Sequence, residues 1–82
     1  MSIDRESERR SRRVIALLKA ERERQGLSKY ALAAKAQISQ QAIGYIETGK
    51  SMPAFDTVVK LAIALGVSLS SLVREVEGET GA

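Results

Sequence analysis

Between Gly26 and Gly66 the chain is cut into pieces too short to be anything but small helices that lean on one another. Ser28 and Ser39 each stand just before a run with helical apolar spacing, where a serine hydroxyl can accept a hydrogen bond from an unsatisfied first-turn amide. Gly26 and Gly66 each follow such a run, free to take the left-handed conformation that ends a helix. Gly49 closes a third run, and Pro53 breaks any continuation beyond it. Helices this short gain little from propensity alone and persist only when a common core buries their apolar faces. The sequence therefore predicts an all-α domain with very short connections.

The periodicity predicts five helices. Residues 1–8 read as a flexible N-terminal arm or a frayed helix start. A first helix is expected from about Glu8 to Gln25, with Val14, Leu17 and Leu18 as its apolar stripe. A second runs from Lys29 to about Lys35, turning Leu32, Ala33 and Ala36 inward; small residues there let two helices cross closely. Ala36, Gln37 and Ile38 make a turn, with Ile38 reaching into the core. The third helix runs from Gln40 to about Thr48, with Ile43 and Ile46 inward. The fourth spans about Ala54 to Leu65 and should bury Phe55, Val58, Leu61, Ala62 and Leu65. A fifth, from about Leu69 to Val76, is apolar at Leu69, Leu72 and Val73. Residues 9–76 are expected to form one domain, followed by a disordered acidic tail over residues 77–82.

Composition narrows the chemistry. With 82 residues the chain suits one small domain, often marginal by itself, which dimerisation would help. The aromatic residues are Tyr30, Tyr45 and Phe55 alone, so the core must be aliphatic. Without cysteine or histidine there is no disulfide, no zinc site built on those residues, and no Ser-His or Cys-His nucleophile pair. The only aspartates are Asp4 and Asp56, far apart in the chain, and no catalytic constellation emerges. An enzyme is not expected, nor a metal, a cofactor or a small-molecule ligand. The apolar run from Val14 stops at Lys19, too short for a signal segment or a membrane span. A cytoplasmic protein without a membrane partner is the expectation.

Charge is unevenly placed. Residues 1–25 hold eight Lys or Arg against five acids, residues 26–50 three against one, and residues 51–82 two against four. A basic first half and an acidic end suit a polyanion bound on one face.

The stretch Gly-Leu-Ser-Lys-Tyr-Ala-Leu-Ala-Ala-Lys-Ala-Gln-Ile-Ser-Gln-Gln-Ala-Ile-Gly-Tyr-Ile-Glu-Thr-Gly-Lys, from Gly26 to Lys50, continues through Pro53 to Leu65 and on to Leu72. Its order and spacing resemble the phage repressor and Cro family of helix-turn-helix proteins. The resemblance implies a compact five-helix lambda-repressor-like domain, with the helix-turn-helix at helices two and three. It also implies that the third helix lies in the major groove of double-stranded DNA with its N-terminal residues at base edges. Gln40 and Gln41 hold those places, and a glutamine amide matches the donor and acceptor of adenine. Gly44 and Tyr45, one turn on, are the further base-reading candidates. Ser28, Lys29, Ser39, Lys50 and Ser51 are the candidates for phosphate. Arg22 and Glu47 occupy positions that often hold a salt bridge between helix one and the end of the recognition helix. Leu69, Leu72 and Val73 either complete the core or form a dimer interface.

Two departures stand out. Gln37 fills a turn position that is often glycine, so left-handed strain is expected there, and Glu21 stands where leucine is common. The cluster Arg9, Arg10, Arg12 and Arg13 lies outside the resemblance and reads either as a solvated helix start or as a basic arm. The function implied is a sequence-specific transcriptional regulator that binds an inverted repeat as a homodimer, with half-sites about 34 Å apart. The alternative is a protein-binding module that keeps the fold without reading DNA.

Overall fold

In the computed structural model, which describes residues 2–79, the first helix, α1 (Ile3–Arg24), begins at Ile3 rather than near Glu8. Residues 3–8 of the expected arm are therefore helical. Ser2 caps it by accepting from the Arg5 amide, and Asp4 and Glu6 complement the positive end of the helix dipole. Glu6 then pairs with both Arg9 and Arg10, at the i, i+3 and i, i+4 spacing that supports an exposed helix. These are local interactions between polar residues, which an apolar periodicity does not register.

α1 is about 33 Å long at the usual rise per residue, close to the molecule's largest extent of 38 Å. It buries Ile15, Leu18 and Arg22; Val14 and Leu17 of the expected stripe sit at its half-buried flanks. Gln25 follows as C-cap and donates through Nε2 to the Leu65 carbonyl at 2.7 Å, joining the ends of the first and fourth helices.

Three further short helices follow. α2 (Lys29–Ala36) is capped by Ser28, whose hydroxyl accepts from Ala31, and α3 (Gln40–Glu47) by Ser39, which accepts from Ala42, both at 3.0 Å. Between them Gln37 adopts φ 61° and ψ 43°, the only non-glycine residue among those described with positive φ. α4 (Phe55–Leu65) starts after Pro53 and ends on Gly66, also left-handed. Leu61, Ala62 and Leu65 enter the core as expected, but Phe55, the first residue of α4, does not and remains 74% exposed.

α5 (Leu69–Glu79) reaches beyond Val76. Residues 77–79 of the expected tail are helical, and residues 80–82 lie outside the described residues. Glu79 is held from α1 by a two-bond pair, accepting from Arg13 Nε at 3.0 Å and Nη2 at 2.8 Å. α1 packs against α3, α4 and α5, and α2 against α3 and α4, so five helices surround one aliphatic core. Ile43 of α3, only 1% exposed, sits within it beside Leu18, Leu32, Ala33, Leu61, Leu65 and Leu72.

Candidate nucleic-acid interface

α3 has two unlike faces. Ile43 and Ile46 are buried, whereas Gln40, Gln41 and Tyr45 are exposed and Gly44 is half-exposed. An eight-residue helix with a central glycine has little intrinsic stability, so its orientation comes from those two isoleucines and from its ends. At the N-terminus Ser39 provides the cap. At the C-terminus the Tyr45 carbonyl accepts from the amides of Lys50 at 2.8 Å and Ser51 at 3.2 Å, which folds the following loop back onto the helix.

The side chains of the exposed face are organised before any ligand arrives. Gln41 donates through Nε2 to the Tyr45 hydroxyl at 2.9 Å, one helical turn on. The Lys50 ammonium lies 4.9 Å from the centre of the Tyr45 ring, within cation–π range. Tyr45 thus connects a glutamine at the start of the helix to a cation at its end. Sequence reasoning assigned these three residues separate roles; the i, i+4 spacing of Gln41 and Tyr45 was the available sign of their contact. Gly44 has open space where a side chain would begin, with no atom within 4 Å, so the protein's own packing does not require glycine there.

Of the phosphate candidates, Ser28, Ser39, Lys50 and Ser51 are exposed and Lys29 is half-buried. Ser28 and Lys29 open α2, Ser39 opens α3, and Lys50 and Ser51 follow its end, so the set precedes and follows α3 in the chain.

Behind that face Arg22 joins Glu47. Arg22 Nε donates to Oε2 at 2.8 Å and Nη2 to Oε1 at 2.9 Å, while Nη1 donates to the Leu27 carbonyl at 2.7 Å. Both side chains are almost wholly buried. Hydrogen bonding to the carboxylate holds the Arg22 guanidinium above its ordinary pKa against the cost of burial. No side-chain polar atom buried among the described residues lacks a partner.

The three apolar candidates of α5 divide between core and surface. Leu72 is a core residue. Val73 is exposed, and Leu69 is half-buried against the core. Val73 and Leu69 line an apolar groove of ≈ 320 Å³ together with Val14, Met52, Phe55 and Val58. Phe55 and Met52, exposed at its edge, were not singled out for this from the sequence.

An all-α domain that presents one short capped helix, flanked by cations and hydroxyls, has the architecture of a helix-turn-helix DNA-binding domain. A helix-turn-helix family model matches residues 18–72, well over half of the chain, and the chain belongs to that family, of the Cro/C1 type. The family is one of DNA-binding regulators and not of enzymes. Neither the curated proteins nor the solved structures gave a significant match. Among the described residues no single helix is long and apolar enough to cross a membrane.

Proposed function

We propose that this protein is a sequence-specific transcriptional regulator that binds an inverted-repeat operator as a homodimer, one α3 in each of two successive major grooves. The observation that carries the reading is the exposed pair Gln40 and Gln41 at the capped N-terminus of α3, with Gln41 already held by Tyr45. Gln40 and Gln41 read adenine edges, and Gly44 lets the backbone come close to the DNA. Tyr45 orients Gln41 and contacts the groove wall. Ser28, Lys29, Ser39, Lys50 and Ser51 hold the phosphates and set the register.

Self-association has its own support. Phe55, Met52 and Val73 leave apolar surface exposed around a groove on a domain small enough to gain from a partner. The same surface supports the second reading, a protein-binding module. Selection of bound duplexes from a randomised pool at two salt concentrations separates the two. An enriched palindromic site, lost in Gln40→Ala and Gln41→Ala, is the expected result. Binding without enrichment, or none at low salt, overturns the sequence-specific reading.

A further inference from the structure

The structure divides the basic residues of α1 into two groups. Arg9 and Arg10 are committed to Glu6, Arg13 to Glu79, Arg22 to Glu47 and Arg24 to Glu21. Arg5 and Lys19 have no ion pair or side-chain hydrogen bond among the described residues, and Arg12 has only a loose 3.8 Å approach to Glu8. The three uncommitted cations are spaced by seven residues. Seven residues are close to two helical turns, so Arg5, Arg12 and Lys19 form one stripe along α1, with steps of about 10 Å.

That stripe borders the recognition helix. Arg12 and Lys19 line a groove of ≈ 330 Å³ whose other wall is the end of α3, at Ile46, Thr48 and Gly49. The Arg12 guanidinium lies against Gly49: a Cβ on that residue would stand 2.8 Å from Arg12 Nη1. The Arg12 side chain nonetheless keeps 45% of its surface open. Lys50 and Ser51, the phosphate candidates, come next in the chain after Gly49. The cations of α1 thereby continue the cationic edge of the helix-turn-helix, from a stretch of helix that begins ahead of the residues matching the family.

We propose that Arg5, Arg12 and Lys19 form a second DNA-backbone contact, a cation track that extends the footprint beyond the helix-turn-helix. The proposal rests on the DNA-binding reading above. Three cations spread over about 20 Å of α1 reach far enough to meet several backbone phosphates of one duplex. The contact carries no base information. It raises affinity for all duplexes and makes binding more sensitive to salt.

The test is the slope of log affinity against log salt for the full chain, measured on a labelled mixed-sequence duplex and on the duplex selected from the randomised pool. Arg12→Gln and Lys19→Gln are each expected to lower the slope by about 0.9, and the triple glutamine variant by nearly three times that, on both duplexes. The ratio of the two affinities stays as in the parent. Arg12→Lys retains the parental slope, which separates a phosphate contact from a packing role at Gly49. Lys60→Gln on α4 removes the same charge elsewhere and leaves the slope alone. Circular dichroism confirms that each variant folds.

An unchanged slope in the triple variant, or an equal loss in Lys60→Gln, overturns the track. If base discrimination persists in that case, the DNA-binding reading stands without it. A parent protein that binds neither duplex at low salt overturns both.

Discussion

Arg22 and Glu47 meet as a two-bond pair between the first helix and the last residue of α3, with N–O distances of 2.8 and 2.9 Å. The third arm of the guanidinium holds the Leu27 carbonyl, so one arginine ties α1 to α3 and to the loop leading into α2. A buried pair of this kind contributes modestly to net stability but becomes costly when one partner is removed, because the remaining charge stays buried and unpaired. Glu47→Ala is expected to cost about 3 kcal/mol. Glu47→Gln keeps one oxygen acceptor and is expected to cost less. Urea unfolding measures both. If Glu47→Gln alters neither stability nor DNA affinity, the pair does not set the angle of α3.

Gln37 is a second point of tension. Its left-handed backbone costs a non-glycine residue of order 1 kcal/mol, partly offset because glycine is more flexible when unfolded. Gln37→Gly is expected to stabilise the domain by roughly 0.5–1 kcal/mol, a rise in Tm of several degrees for a chain of this size. The same melt on Gln37→Ala should show no gain.

Gly44 behaves in the opposite way. It lies within α3 with open space around it, so Gly44→Ala should raise stability by about 0.5–1 kcal/mol. If the backbone approaches DNA there, the same change weakens binding. A variant both more stable and equally tight in a titration removes the close-approach role.

If Gln41 reads a base as proposed, its hydrogen bond to Tyr45 makes that reading depend on a residue that need not touch a base. Tyr45→Phe is expected to reduce affinity for the selected duplex several-fold while leaving mixed-sequence binding almost unchanged. Gln40→Ala should lose more, about 1–3 kcal/mol at the base it reads. Equal losses on both duplexes for Tyr45→Phe would assign the hydroxyl to phosphate instead.

Acid should loosen α1. Hydrogen bonds from Arg9 and Arg10 lower the Glu6 carboxyl to about 2, and those from Arg24 and Gln25 lower Glu21 to about 2. A depressed carboxylate contributes its stabilisation fully above its ordinary value, here 4.5, and loses it as pH falls through the folded value. The helical signal should therefore decline between about pH 4.5 and 2 and stay flat above that window. Glu6→Gln and Glu21→Gln should each show a smaller decline. Parental acid titrations in both variants would remove these carboxylates from the account.

Much of the domain was legible because its signals are local. Ser28, Ser39, Gly26 and Gly66 mark helix ends through hydrogen bonds and backbone conformations that span only a few residues, and each acts where its position implied. The left-handed turn at Gln37 was readable in the same way. Ile43 and Ile46 separate from Gln40 and Gln41 by helical phase alone.

The structure departs from the apolar pattern where distant or polar partners decide. Ser2 and the Glu6 pairs extend α1 to Ile3, and Arg13 holds Glu79 across a separation of 66 residues. By period Phe55 resembles a core residue, yet it stays at the surface, on the apolar groove that Met52, Leu69 and Val73 also line.

The amino-acid sequence by itself determined the helix count, the turn and the identity of the presented helix, since capping and periodicity act between near neighbours. Only the tertiary structure decided that Arg13 is held by Glu79 and Arg22 by Glu47, that Leu72 belongs to the core, and that Arg12 lies against Gly49. Those outcomes depend on how α1 crosses α3 and α5, and a crossing is set by the packing of the whole core.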